Sequence, residues 1–421
     1  FPMRITPYYL GLIRTFDFSD PIYAQCVPQS AELKTPHWLT EDPLAEHARA
    51  NDLARRFLLF DAFVGGERRV DLMPIVLSRD VHAAAVSTAE RAFRVVSTIA
   101  ARAHHDEIES RLYGFDDDTR ALARASFASG DDAVFARVDL LWGQDGRWHA
   151  CEINADCPGG HNEAVALPRL SREAGVLGGP LHDPTAAVER LADRLARASG
   201  GAPVALLYAT GYAEDLQVAA IVHRALAARG VDAVLTAPTA LRLRGRELFA
   251  GKTAVRALYR FYPTEWMAGQ DNVGDIARAV AEYGVRAVTG FSAIYSQSKL
   301  AFARAHALAP ADAGGLPLTF AVSDVGAELE ADRSRWVVKR AMGRVGDQVF
   351  VGALLAPEAW REVAAFARAQ DAGGEPWIAQ AYVPQAPVPT PWGPLYVTLG
   401  AYVLDGRFVG YFARVTPETH V

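Results

Sequence analysis

Cysteine is scarce in this chain of 421 residues, with Cys26, Cys151 and Cys157 the only three. So small and odd a number in a long chain excludes a disulfide-stapled scaffold, and no C-x-x-C pair offers a structural zinc or redox site. A reducing, cytoplasmic setting is expected. Long apolar runs are missing too. Nothing approaches the about 18 uninterrupted apolar residues of a membrane span, and no basic segment leads into an apolar one near the N-terminus, so neither a membrane nor a signal peptide is expected. The two residues ahead of Met3 read as a cloning remnant. An excess of one charge is absent as well: 43 Lys and Arg stand against 49 Asp and Glu, a net −6 with the signs interspersed. No basic field would draw in a nucleic-acid backbone, and nucleic acid is not expected as a partner. Internal repeats, low-complexity tracts and a G-x-G-x-x-G fingerprint are also lacking.

Lysine is the rarest of the charged residues, at positions 34, 252, 299 and 339 only, so nearly every basic residue is arginine. A lysine kept in such a composition points to a place where a compact ammonium is needed rather than a planar guanidinium. Otherwise the balance is that of a folded protein, with 50% hydrophobic and 22% charged residues, and at about 150 residues per domain the length suggests two or three units.

Along the chain, helical spacing runs from Pro43 to Phe60, a turn from Phe63 to Gly66, an extended run from Val70 to Leu77, and a long amphipathic helix from Asp80 to Ala103. His104, His105 and Asp106 follow at the polar end of that helix and read as a solvated face. From Ala133 to Asn154 the period changes to two, with a Gly143-Gln144-Asp145-Gly146 turn, which predicts a β-hairpin. Residues 203–300 alternate strands at 204–208, 232–236, 257–261 and 287–288 with helices at 214–229 and 273–283, the pattern of a parallel sheet. A small hairpin is expected at 241–249. The last part carries a helix with Lys299, two strands around Gly343–Asp347, a helix from Pro357 to Gln370 and strands at 377–383, 395–403 and 408–415.

On the first hairpin, Arg137 and Asp139 share one face of a strand, and Glu152 and Asn154 share one face of its partner. Cross-strand neighbours lie within about 5 to 8 Å, close enough for two carboxylates and an amide oxygen to hold a hard cation such as Mg²⁺, with Arg137 beside them for a phosphate oxygen. An exposed face laced with ion pairs has the same pattern. The second constellation is Lys339 at a strand end, then Gly343-Arg344-Val345-Gly346-Asp347, then a returning strand. Such a flap can cover phosphates with backbone N–H groups while the ammonium neutralises charge; a surface hairpin with a snorkelling lysine would look alike. Cys157 and His161, four apart in one loop, suggest a thiol nucleophile, but Asp156 beside Cys157 works against a thiolate, and a substrate-contacting loop is the expectation. Tyr259, Phe261, Tyr262 and Trp266 end a sheet strand, where either a ligand or a core would use them.

In this order the blocks resemble the circularly permuted ATP-grasp family of glutathionylspermidine synthase and related carboxylate-amine ligases. FARVDLLWGQDGRWHACEINADCPGGHNEA (135–164) is similar to its metal-binding hairpin, SQSKLAFA (296–303) to its lysine helix, WVVKRAMGRVGDQV (336–349) to its lysine strand and flap, WIAQAYVPQAPV (377–388) to its adenine-side strand, and GYFARVTPE (410–418) to its terminal arginine segment. The similarity spans 131–421. It implies an α/β fold with an α+β ATP-grasp core and a Rossmann-like pre-ATP-grasp unit. It divides the chain into an N-terminal segment (1–95), a metal-binding half (96–200), the Rossmann-like unit (201–295) and a half with the ATP lysines and flap (296–421).

The resemblance further implies ATP and Mg²⁺, with Asp139, Glu152 and Asn154 on the metal and Arg137 and Arg414 on the transferring phosphoryl group or acyl phosphate. Lys299 and Lys339, with Gly343, Arg344 and Gly346, would meet the phosphates and Gln380 the adenine. Asp156, Gly160, His161 and Glu163 would face small-molecule carboxylate and amine substrates. The implied activity is ATP-dependent amide formation between them, with an amino acid or small peptide as the carboxylate. The Gly159-Gly160-His161-Asn162 stretch departs from the family's Thr-Ser loop, which argues against glutathione. Two other readings are a metal-dependent nucleotide-sugar glycosyltransferase, which leaves the flap lysine without a role, and a non-catalytic nucleotide-binding member of the fold.

Overall fold

A computed structural model describes residues 52–421 apart from 61, 65–66, 131–133, 176–181, 345, 347, 391–392 and 419–421. Cys26, Lys34 and the expected helix as far as 51 lie outside the described residues, as do Ala133 at the head of the expected hairpin and Val345 and Asp347 in the flap; residues 52–57 are helical. Residues Leu53–Val421 form one compact unit. Among the described residues no helix is long and apolar enough to cross a membrane.

The long helix runs Arg79–Ala100, opened by Ser78, whose Oγ accepts the Val81 N–H at 3.3 Å. A side-chain acceptor at this position satisfies one of the free N–H groups of the first turn. Its Ala85, Ala89, Ala92, Phe93, Val96 and Ile99 recur at helical spacing and are buried, lying on the back of the hairpin that carries the acidic residues. The small alanines let the helix approach closely. Two expectations fail before and after it. Val70–Leu77 belongs to no strand; of the expected 63–66 turn, Phe63–Val64 is instead a short strand paired with Glu67–Arg68, and 65–66 lie outside the described residues. His104 is half-buried rather than solvated: its ring stacks on Phe127 at 4.3 Å, and burial lowers its pKa to about 4. A neutral imidazole packs on an aromatic face as a flat apolar plate, which period counting cannot foresee.

The expected hairpin is formed by Phe135–Trp142 and Trp148–Asn154, antiparallel. Its first strand is central, because Gly393–Leu404 pairs with its other edge and in turn carries Val388–Thr390 and Arg407–Thr416. The second sheet is fully parallel, in the order Arg286–Val288, Ala257–Phe261, Val204–Tyr208, Ala233–Thr236. Strands buried on both faces read as continuous apolar runs, as VALLY does here. The sheet is flanked by helices Ala213–Ala227 and Val273–Tyr283, and the expected 241–249 hairpin gains a third strand, Thr253–Val255. The third sheet is antiparallel, in the order Thr319–Ala321, Trp377–Ala381, Trp336–Arg340, Val349–Val351. Trp336, Trp360 and Trp377 fill its core and are fully buried; truncating any of them to alanine would cost about 3 to 5 kcal/mol. The mixture of helices with parallel and antiparallel sheets is the α/β class expected from the sequence.

Candidate functional site

Strand register sets the centre of the site. Asp139 is the direct partner of Glu152, and Arg137 of Asn154, so all four side chains leave one face of the hairpin, next to a bulge that leaves Cys151 without a partner between Ala150 and Glu152. Arg137 lies flat along its own strand and grips Asp139 as a fork, Nε to Oδ1 at 2.6 Å and a terminal nitrogen to Oδ2 at 3.0 Å. Its other terminal nitrogen donates to the Gly159 carbonyl at 3.0 Å, a carbonyl that also accepts from the Tyr402 hydroxyl at 2.6 Å. Arg414 donates to Asp139 Oδ2 at 2.7 Å, as does the Asn154 amide at 3.2 Å. Burial opposes the charge on Asp139, but the Arg137 guanidinium, with Arg414 and Lys299, outweighs it and holds the carboxyl below its usual range. Arg137 thus ties the acidic face to the glycine loop.

The two expected lysines face this acid pair from the other side. Lys299 opens the Leu300–Leu308 helix and is buried; its ammonium donates to the Gly343 carbonyl at 2.8 Å and lies 3.4 Å from Glu152 Oε1. Lys339, in the middle of the antiparallel sheet, donates to Gln380 Oε1 at 2.9 Å, and the Gln380 amide donates on to Thr319 Oγ1 at 3.2 Å. Burial lowers the Lys339 pKa, while Cys151, Glu152 and Asp139 pull it back up. Gln380 therefore orients a lysine as well as standing where adenine is expected. The structure brings Arg137, Asp139, Glu152, Asn154, Lys299, Lys339 and Arg414 together, two carboxylates among four cations.

The stretch from Asp156 into the first turn of the His161–Glu173 helix is more interior than its polarity suggests. Asp156 is fully buried, and its oxygens accept from Arg260 at 2.6 Å, Arg344 at 2.8 Å, Thr264 Oγ1 at 2.6 Å and Thr264 N–H at 2.9 Å. Burial acts against its charge, yet Arg260 and Arg344 keep the carboxyl below its usual range. With every lone pair engaged, Asp156 anchors the loop and has none left for a cationic substrate. His161 is also fully buried. Its Nε2 bonds the Tyr259 hydroxyl at 2.9 Å, and burial lowers its pKa to about 3. Cys157 is pushed up to about 12 by burial, so thiol and imidazole are both neutral and form no nucleophile pair. Glu163 is buried against Arg69 at 3.1 Å. Gly160 takes φ +89°, and a Cβ there would stand 2.7 Å from the Phe412 ring; only glycine fits. Of the aromatic set, Tyr259 and Phe261 are buried and Trp266 is 47% exposed.

Arg344 leaves the flap in the other direction, towards Asp156 and Glu265, rather than towards Lys299 and Lys339. Gly343 contributes a carbonyl to Lys299, and Gly346 takes φ +71°, a glycine conformation. Residues that the sequence alone did not single out include Arg260, Glu265, Gln297, Gly400 and Tyr402. Gln297 Oε1 accepts the Ala155 and Asp156 N–H groups at 2.9 and 3.0 Å. For Arg260 a signal exists: a charge inside the buried run ALYRF demands a buried partner.

Residues 73–418 match the family described as glutathionylspermidine synthase, pre-ATP-grasp. None of the curated proteins matches. Among solved structures, a provisionally named gamma-glutamylcysteine synthetase from Methylobacillus flagellatus KT aligns over 82% of this chain and 85% of its own at 12% identity, with a TM-score of 0.42.

Proposed function

The chain belongs to the glutathionylspermidine synthase pre-ATP-grasp family, and on that premise we propose that it is an ATP-dependent ligase that joins a carboxylate to an amine through an acyl phosphate. The observation that carries this reading is the convergence of Asp139 and Glu152 with Arg137, Lys299, Lys339 and Arg414. Four cations against two carboxylates leave a positive surplus, which suits a polyphosphate.

The donor set fits Mg²⁺ in kind: Asp139, Glu152 and the Asn154 carbonyl are hard oxygens, few enough for an ion that keeps waters and phosphate oxygens. Asp139 must release one of its donors to serve such an ion. Arg414 is 49% exposed where Arg137 is nearly enclosed, so Arg414 is the one able to move. A bound Mg²⁺ would supply charge neutralisation on the phosphate oxygens.

In this reading Lys299 and Lys339 hold the phosphate chain, while Arg137 and Arg414 flank the phosphoryl group as it passes to the substrate carboxylate, releasing ADP. The amine then attacks the acyl carbon, phosphate leaves, and an amide remains. Phosphoryl transfer asks chiefly for position and charge neutralisation, which these residues offer without a covalent role. Amino acids or small peptides are the proposed substrates. The amine is not proposed to meet Asp156, whose oxygens are taken by Arg260, Arg344 and Thr264.

The test is ADP release across pairs of amino-acid carboxylates and amines, with Glu152→Ala as the control. Glu152 lies on the hairpin face and is partly exposed, so the variant should fold and yet release no ADP. Full turnover by that variant would sink the proposal.

A further inference from the structure

Arg344 is the one charged side chain described within the glycine turn 343–346, and it is held by acids rather than free for phosphate. Its Nε and a terminal nitrogen form a fork with Glu265, to Oε1 at 2.8 Å and to Oε2 at 3.0 Å. The same terminal nitrogen reaches Asp156 Oδ2 at 2.8 Å, and the other lies 3.4 Å from Cys157 Sγ. Glu265 stands on the short turn Thr264–Met267 that follows the Ala257–Phe261 strand of the parallel sheet, and Thr264 beside it fixes Asp156. One residue away, the Gly343 carbonyl takes a hydrogen bond from the Lys299 ammonium. The flap is therefore fastened at two adjacent residues. Gly343 occupies a donor that the proposed reaction needs for phosphate, and Arg344 is clamped to the parallel sheet.

Among the described residues Glu265 has no ion-pair partner other than Arg344. Asp156, by contrast, is satisfied by Arg260 and Thr264 even without it. Glu265 is thus the acid whose removal would take the two-bond fork from Arg344 and loosen the flap, leaving it the single carboxylate bond to Asp156 and the buried cluster intact. A bidentate guanidinium–carboxylate pair is directional as well as attractive, so it fixes where the flap lies.

We propose that Glu265 is a positioning residue that latches the flap through Arg344 in the nucleotide-free chain, keeping Gly343 on Lys299 until phosphate displaces it. The proposal rests on the reading that Lys299 takes a phosphate oxygen. A latch of this kind lowers apparent nucleotide affinity by the fraction of chains that are unlatched. Releasing it should tighten binding, whereas a purely structural contact would only weaken it.

Trypsin reads the latch directly, because it must draw the Arg344 side chain into its own pocket to cut after it. The experiment compares wild type, Glu265→Gln and Arg344→Lys, following cleavage after position 344 by mass and cleavage after exposed Arg361 as the internal standard. Glu265→Gln should speed cleavage after Arg344 about tenfold with Arg361 unchanged, and Arg344→Lys, which keeps the charge but loses the fork, should fall between. Calorimetry with Mg²⁺ and ADP should show Glu265→Gln binding about threefold or more tighter than wild type. Unchanged cleavage in Glu265→Gln, or equal acceleration at Arg361, would overturn the latch, as would weaker ADP binding. Absence of ADP binding by wild type would instead overturn the ligase reading, and the cleavage comparison would still decide whether Glu265 holds the flap.

Discussion

Gly400 is the register partner of Asp139, and a Cβ on it would stand 2.6 Å from Cδ of Arg137 and 2.9 Å from the Phe412 carbonyl oxygen. The aliphatic stem of the arginine that grips Asp139 passes the neighbouring strand at a place with no side chain. Gly400→Ala is expected to push Arg137 aside, costing about 1 to 3 kcal/mol of stability and lowering kcat at least about tenfold. Thermal melting paired with an ADP-release assay checks both effects, and an alanine variant with wild-type kcat would contradict the role given to Arg137.

Lys339 is a buried ammonium held by Gln380. Replacing it with methionine keeps the length and removes the charge, so affinity for Mg²⁺-ADP should fall about 30- to 100-fold. Lys339→Arg should not restore it, because a planar fork has more donors than this enclosed position can satisfy. Lys252→Met, on an exposed turn, should bind as wild type does. Calorimetric titration of the three variants makes the comparison.

Asp156 is expected to fail as a structural anchor and not as a substrate contact. Alanine there strips the partner from Arg260, a guanidinium with no exposure of its own, and an uncompensated buried charge costs about 3 to 5 kcal/mol. The urea midpoint of Asp156→Ala should drop accordingly. A variant of unchanged midpoint with only a raised KM for the amine would reverse this assignment.

Asp215, near the start of the Ala213–Ala227 helix, has its pKa raised from 3.8 to about 6 by burial, with Glu214 adding to it and the Ala209 N–H opposing. Between those two values the folded chain binds more protons than the unfolded one, so the contribution of Asp215 to stability falls as pH rises from 3.8 to about 6 and stays low above that. Asp215→Asn should melt about 1 to 3 °C above wild type at neutral pH. The advantage should vanish as the pH drops below 4. Melting curves at half-unit pH steps test the sign.

Each half of the acidic face was legible because strand periodicity is local: Arg137 and Asp139 share a side of one strand, and Glu152 and Asn154 a side of the other. That the two sides coincide was not legible, because it takes the bulge at Cys151, without which the turn register would set Asp139 against Cys151 and Glu152 against Val138. Lys299 and Lys339 were legible through rarity, in a chain that uses arginine for almost every other cation. What stayed hidden depends on partners far along the chain. Nothing near Asp156 announces Arg260 or Arg344, so a loop rich in polar residues reads as a solvent-facing substrate contact when its carboxylate is in fact sealed. Glu265 is an ordinary surface acid until the flap arrives beside it. Gly400 lies in an apolar strand, and its need for an empty Cβ position follows only from the path of Arg137 on the neighbouring strand. His104 reads as polar by residue type and packs as a ring.

The central strand Phe135–Trp142 finds one neighbour within a few residues and the other near the end of the chain, with Asp139 and Arg414 separated by 275 positions. During synthesis the acidic hairpin therefore leaves the ribosome long before the strand that closes it, with an apolar edge waiting for a partner. Such long-range pairing is slow and exposes an adhesive edge meanwhile. The chain acquires its charge cluster last, so a nascent or C-terminally shortened protein holds the hairpin without Arg414 and the strand that closes it.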